Sequence, residues 1–148
     1  MKIYITTKIP DILRTATKIK YMKYKPFTKE EFAEYMLKMI EAGRTILMVA
    51  KEDTGDRRIY AAAVISLVDA FTKKIAWIDY TWVDKDKKEL GKELMKQIEE
   101  MAKLYNVDCI QGRVYRGTAG AEKKYGFKKV YEVIEKQLIK EKEDGRNK

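Results

Sequence analysis

The chain has no histidine, one cysteine, two prolines and eight glycines in 148 residues. Cys109 alone cannot form an internal disulfide, and with no histidine to join it there is no zinc-type ligand cluster. A metal ion would have to be held by oxygen alone. Cys109 lies among apolar neighbours such as Val107 and Ile110 with no histidine to generate a thiolate, so it reads as packing. No apolar run approaches the roughly 20 residues of a membrane span, and the opening MKIYITTKIPDILRT lacks the continuous apolar stretch of a secretion signal. A soluble, cytoplasmic protein with no membrane partner is expected. There is no Pro- or Gly-rich linker, repeat or low-complexity block. One domain over residues 1–138 is therefore expected. The segment from Ile139 to Lys148, IKEKEDGRNK, has no apolar face and reads as a charged, frayed tail.

What is abundant is lysine and apolar side chains. Hydrophobic residues make up 45% of the chain, enough for one core, and 32 Lys and Arg against 23 Asp and Glu leave a net charge of +9. That charge would attract nucleic acid or a phosphorylated cofactor. The lysines recur through every segment, however, which equally describes a solvated surface. The densest cationic stretch runs from Lys18 to Lys29, with Tyr21, Tyr24 and Phe27 between the lysines. Such rings suit stacking on bases, and they also suit the buried side of a helix end.

Periodicity predicts the elements. Lys2 to Thr6 alternates as a short strand, and Ile12, Leu13, Ala16 and Ile19 predict a helix over Asp11 to Tyr21. Thr28 followed by Glu31 is a capping box. It opens a second helix with Phe32, Tyr35, Met36, Met39 and Ile40 on one side and Gly43 as its stop. Thr45–Lys51, Arg58–Val68 and Lys74–Val83 predict an antiparallel meander, turned first at Asp53–Asp56. A long amphipathic helix is expected over Asp86–Tyr105, and a strand over Val107–Val114 would return parallel to the meander. A short helix over Gly117–Lys124 and a last strand over Phe127–Leu138 complete the expectation.

This order, with WVDKDKKELGKELM (Trp82–Met95) between strand and long helix and AEKKYGFKKV (Ala121–Val130) near the end, resembles the GNAT superfamily of N-acetyltransferases. The resemblance spans nearly the whole chain. It implies an α/β (α+β) fold with a mixed, mostly antiparallel sheet, helices on both faces and a central β-α-β crossover. It also implies acetyl-CoA as cofactor, its pantetheine arm in a wedge between the fourth and fifth strands and its pyrophosphate on amides at the start of the central helix. Carried over, Thr81 and Val83 would offer backbone contacts, Gly91 fits the second small position of the phosphate loop, and Lys87, Lys88 and Lys92 would add cations. Asp86 and Glu89 stand where the family has Arg or Gln and Gly. Read as an N-terminal capping pair, they would occupy the amides an anion needs, which predicts a weakened hold on coenzyme A.

The resemblance further implies direct attack by an amine on the thioester, which needs a base and an acid. Asp79, four residues before Val83 and on the face expected to carry Trp77 and Thr81, is the candidate base. In an apolar strand, burial would raise its pKa. It could equally lie on a solvated face. The position of the family's usual acid is occupied by Glu122, and Tyr115, at the end of the fifth strand, is a possible substitute. The acceptor is a small-molecule or peptide amine that nothing in the sequence specifies, and oligomeric state is likewise unreadable. Two other functions stay open: a catalytically degenerate binding protein for nucleic acid or a protein partner, and a GNAT-like nucleic-acid-modifying enzyme.

Overall fold

Alternating β-branched and apolar residues build five strands, and 3.6-residue periodicity builds the three helices that cover them. The computed structural model describes residues 1–19, 27–53, 55, 57–112, 124–130, 134 and 136–138. The chain divides into two compact units, Met1–Tyr115 and Arg116–Lys148. In the first unit the elements are β1 (Lys2–Thr6), α1 (Ile9–Lys18), α2 (Lys29–Glu41), β2 (Thr45–Lys51), β3 (Ile59–Asp69), β4 (Lys74–Val83), α3 (Leu90–Leu104) and β5 (Cys109–Gly112). They form one sheet in the order β1-β2-β3-β4-β5. Every neighbouring pair is antiparallel except β4 and β5, which run parallel with α3 as the crossover between them.

The sheet is apolar on both faces. Ile46, Met48, Ala50, Ala61, Ala63, Ile65 and Ala76 pack against Leu90, Leu94, Ile98 and Met101 of α3. Leu47, Val49, Ala62 and Val64, which point the other way, pack against Ile12 and Ala16 of α1 and Phe32 and Met36 of α2. Three consecutive alanines at the centre of β3 let helices approach closely from either side.

The helix ends follow local chemistry. Thr28 Oγ1 accepts from the Glu31 N–H while a Glu31 carboxylate oxygen accepts from the Thr28 N–H, both at 3.0 Å, as the sequence predicts. Helix α2 closes with Gly43 at φ 70°: the Arg44 N–H donates to Met39 C=O and the Gly43 N–H to Ile40 C=O. The same wrap ends α3 on Asn106 at φ 60°, with the Val107 N–H donating to Ala102 C=O. Asparagine tolerates this left-handed conformation better than most side chains.

Several boundaries differ from the sequence reading. Helix α1 starts at Ile9, two residues before Asp11, because Pro10 is accepted in a first turn where its missing N–H is not needed. It stops at Lys18, since Ile19 is extended. Tyr35, expected on the apolar side of α2, is exposed, and Ala33 is buried instead. Helix α3 begins at Leu90 rather than Asp86. Strand β5 begins at Cys109 because Val107 is used in the helix-ending wrap, and the expected strand residues 113–114 lie outside the described residues. In the second unit Lys124 and Tyr125 are helical and Gly126 takes φ 73°, while 117–123 of the expected short helix lie outside the described residues. The described residues of the expected last strand, 127–130, 134 and 136–138, carry no strand. Val130, Ile134 and Leu138 are exposed. The expected tail, 139–148, lies outside the described residues.

Candidate active site

Strand β4 changes phase at its middle. It pairs Ile78 with Ile65 and Tyr80 with Val64, so Asp79 is the extra residue of a β-bulge. The core contacts record the reversal. Ala76 and Ile78 face α3, whereas Tyr80 and Trp82 face α1 and α2. Ser66 follows Ala62 and Val64 on the α1/α2 face of β3, and its hydroxyl donates a hydrogen bond to Asp79 Oδ2. Trp77 lies opposite Ser66. Asp79 therefore shares a face with Trp77, as expected. Thr81, expected on that face too, is opposite Ala63 on the α3 side. The bulge is the reason: regular alternation would have kept all three together. Asp79 is half-buried, neither sealed in the core nor on an open face.

Beyond the bulge the backbone of β4 has a defined polarity. The Asp84 N–H donates to Tyr60 C=O at 2.8 Å. Antiparallel ladders alternate, so Trp82 and Tyr80 also bond towards β3, and Thr81 and Val83 turn their N–H and C=O groups towards the opposite edge. The β5 ladder on that edge pairs Ile75 with Cys109 and reaches Ile78 with Gly112. Thr81 and Val83 turn their peptide groups away from β3.

The turn into α3 is organised by a residue that the sequence reading missed. Asp84 is buried. Its Oδ1 accepts from the Asp86 N–H at 2.9 Å, its C=O accepts from the Lys87 N–H at 2.9 Å, and Oδ2 lies 3.2 Å from the Arg58 guanidinium. A carboxylate accepting from the N–H two residues on is an Asx turn, and an aspartate at the exact end of an apolar strand was the available signal. The Asp86 amide, followed by Arg58, holds the Asp84 carboxyl below its ordinary pKa against the opposing effect of burial. With the folded value below the unfolded one, its contribution to stability is complete above the ordinary carboxylate range and is lost as pH falls through the lowered value. Asp84→Asn should therefore make the acid-side decline of unfolding free energy shallower. An acid limb identical to wild type would mean that this carboxylate does not hold the turn.

The expected Asp86 and Glu89 capping pair does not form. Glu89 is the N-cap residue with helical φ and ψ and no side-chain capping bond, and Asp86 and Glu89 are both exposed. Asp84 has taken over the ordering of the turn, which leaves the helix start open. The N–H groups of Lys85, Lys88 and Glu89 have no intramolecular acceptor among the described residues. The Gly91 N–H is taken, donating to Lys88 C=O at 3.1 Å, so Gly91 contributes slimness and not a donor. Lys88 and Lys92 are exposed beside these amides, and Lys87 is half-buried with its ammonium 5.9 Å from the centroid of the Tyr60 ring. Arg58 lies 5.0 Å from the same ring. Lys18, from the cationic stretch singled out in the sequence, sits 5.2 Å from the Trp82 ring centroid. Most of that stretch, residues 20–26, lies outside the described residues, as do Tyr115 and Glu122.

The structure thus places Asp79, Thr81 and Val83 along β4, which leads into the cationic helix start. Among the described residues no cluster of His, Cys, Asp or Glu could hold a metal ion, and no helix is long and apolar enough to cross a membrane. Cys109 is half-buried, with the Gln111 side-chain amide 3.9 Å from its sulfur. A cavity of about 680 Å³ lies at the other end of β4, bordered by Arg44, Ser66, Leu67, Lys74, Ile75 and Tyr105 among others.

No protein-family model and no curated protein sequence matches the chain. Solved structures do. A predicted acetyltransferase from Clostridium acetobutylicum with acetyl-CoA superposes with a TM-score of 0.71 at 18% identity, covering 93% of this chain and 97% of that one. An aminoglycoside acetyltransferase from an uncultured soil metagenomic sample, in complex with sisomicin, gives a TM-score of 0.73 at 14% identity over 93% and 96% of the two chains. A transcriptional regulator from Bacillus halodurans C-125 gives 0.74 at 15% identity over 93% and 99%. The chain shares the GNAT-like fold of these structures, a mixed, mostly antiparallel sheet with helices on both faces.

Proposed function

We propose that this chain is an N-acyltransferase that moves an acetyl group from acetyl-CoA to an amine. The premise is its GNAT-like fold. The observation that carries the reading is the bulge in β4. It sets a half-buried carboxylate, Asp79, on the same strand as Thr81 and Val83, whose peptide groups face away from β3.

The residues present fit the cofactor. Free amides at Lys85, Lys88 and Glu89, on the positive end of a 15-residue helix, suit a pyrophosphate, and Lys87, Lys88 and Lys92 add charge. The peptide edge of Thr81 and Val83 suits the amide-bearing pantetheine arm. When bound, the cofactor supplies the activated thioester. Asp79 then accepts the proton of the acceptor ammonium, directly or through a water, so that a neutral amine is available for attack. The amides along β4 are oriented without further reorganisation to favour charge developing on a carbonyl oxygen. Glu122 and Tyr115 remain the candidates for protonating the leaving thiolate.

Calorimetric titration with acetyl-CoA, followed by thiol release with a panel of primary amines, tests the proposal. Absence of binding heat at millimolar cofactor would end it. Glu89 is the remaining electrostatic penalty in the loop. Its φ of −60° is one any residue adopts, so a glycine is not needed there for conformation. Removing one exposed charge at a helix start is worth about 0.3–1 kcal/mol. Glu89→Gln is therefore expected to tighten acetyl-CoA binding about two- to fivefold at low salt, with the gain shrinking as salt rises. Weaker binding by Glu89→Gln would place the phosphates elsewhere.

A further inference from the structure

Strand β3 reads IYAAAVISLVD, and Ser66 is its one aliphatic hydroxyl. A serine between buried Ile65 and half-buried Leu67 gives little packing, so its contribution must come from its oxygen. That oxygen donates to Asp79. In a regular ladder the residue two along from Trp77 would lie a full step from Ser66, over Val64. Because β4 bulges, Val64 is instead opposite Tyr80, and Asp79 lies between the Ser66–Trp77 and Val64–Tyr80 pairs. The bulge and the serine are therefore complementary. One releases Asp79 from a regular position, and the other fixes its side chain.

We infer that Ser66 is a positioning residue for proton transfer, its hydroxyl holding the Asp79 carboxylate in place for the acceptor amine. The inference rests on the acyltransferase reading for its chemistry and on the Ser66–Asp79 contact for its geometry. An ionised carboxylate only accepts hydrogen bonds, and a serine hydroxyl holds it without adding a charge that would compete for the proton. Serine has a single rotatable bond before its oxygen, so little entropy is lost in fixing it. Ser66 does not contact the reacting atoms itself.

The test uses Ser66→Ala and Ser66→Thr in the full chain. Threonine keeps the hydroxyl, and the cavity that Ser66 borders leaves room for its extra methyl group. The first readout needs no activity: the ¹³C resonance of the Asp79 side-chain carboxyl, identified by its loss in Asp79→Asn. It should move in Ser66→Ala and return in Ser66→Thr. An unmoved resonance overturns the inference. The second is acetyl transfer. Ser66→Ala should lower kcat about tenfold, the scale of one hydrogen bond to a charged group, with KM for acetyl-CoA unchanged. Ser66→Thr should restore it, and Ser66→Ala should add nothing in an Asp79→Asn background. Equal losses in both backgrounds overturn the inference. A moved resonance in a protein that acetylates no amine upholds the Ser66–Asp79 link and overturns the acyltransferase reading instead.

Discussion

Replacing Asp79 with asparagine should lower the rate of acetyl transfer at neutral pH by about 100- to 10,000-fold, the range a positioned general base contributes. Asparagine matches aspartate in shape and can still accept from Ser66, so the bulge and the strand should survive. Acetyl-CoA affinity should change little, because the cofactor contacts argued above use the peptide groups of Thr81 and Val83 and the start of α3. A fall in kcat with an unchanged calorimetric Kd is the expected pattern. A rate within a few-fold of wild type would leave Asp79 as a strand residue with a polar neighbour. The base would then have to be sought at Glu122 or Tyr115.

The largest effect on stability should come from Asp11→Ala, near the β1 edge of the sheet. Asp11 is 2% exposed. Its Oδ2 accepts from Thr6 Oγ1 at 2.7 Å and lies 3.1 Å from the Lys51 ammonium, with Arg14 3.8 Å from Oδ1. Its C=O accepts from Thr15 Oγ1 at 2.8 Å, so one residue ties β1, α1 and β2 together. Removing the carboxylate leaves the buried Thr6 hydroxyl and a mostly buried lysine without their shared acceptor. Breaking a buried pair from one side costs about 3–5 kcal/mol, and the lower end applies because Lys51 keeps some water. That is a large fraction of the roughly 5–15 kcal/mol that holds a typical domain folded. Urea unfolding of Asp11→Ala should read a loss of about 3 kcal/mol. Asp11→Asn, which can still accept from Thr6, should lose less. A loss below about 1 kcal/mol would reduce the cluster to a surface ion pair.

Much of this architecture is written locally. Lys74–Val83 is legible as a strand to the residue, because seven of its ten positions are β-branched or aromatic and the run is bounded by turns. The Thr28 and Glu31 box is legible because both partners lie within one turn of chain. The features that escape the sequence depend on pairing. Ala76, Ile78, Tyr80 and Trp82 alternate faultlessly, yet they lie on two faces, because an extra residue is visible only against the partner strand. Thr81 was misplaced for that reason. Asp86 and Glu89 have the spacing of a capping pair, but Asp84, held from the neighbouring strand by Arg58 and Tyr60, ordered the turn first. Asp11 looks like an ordinary acidic residue in a helix's first turn. Its burial depends on Lys51, forty residues away.

The bulge also bears on how such a protein could change over time. Residues in register on β4 answer to two packed layers at once, so most replacements there disturb the core. Asp79 is the extra position, and neither layer is built on its side chain. Chemistry at this point can therefore be gained, altered or abandoned while the scaffold stays intact. Deleting the position would be different: it would restore simple alternation and turn Tyr80 and Trp82 out of their layer. The fold depends on the position being there and not on which side chain fills it.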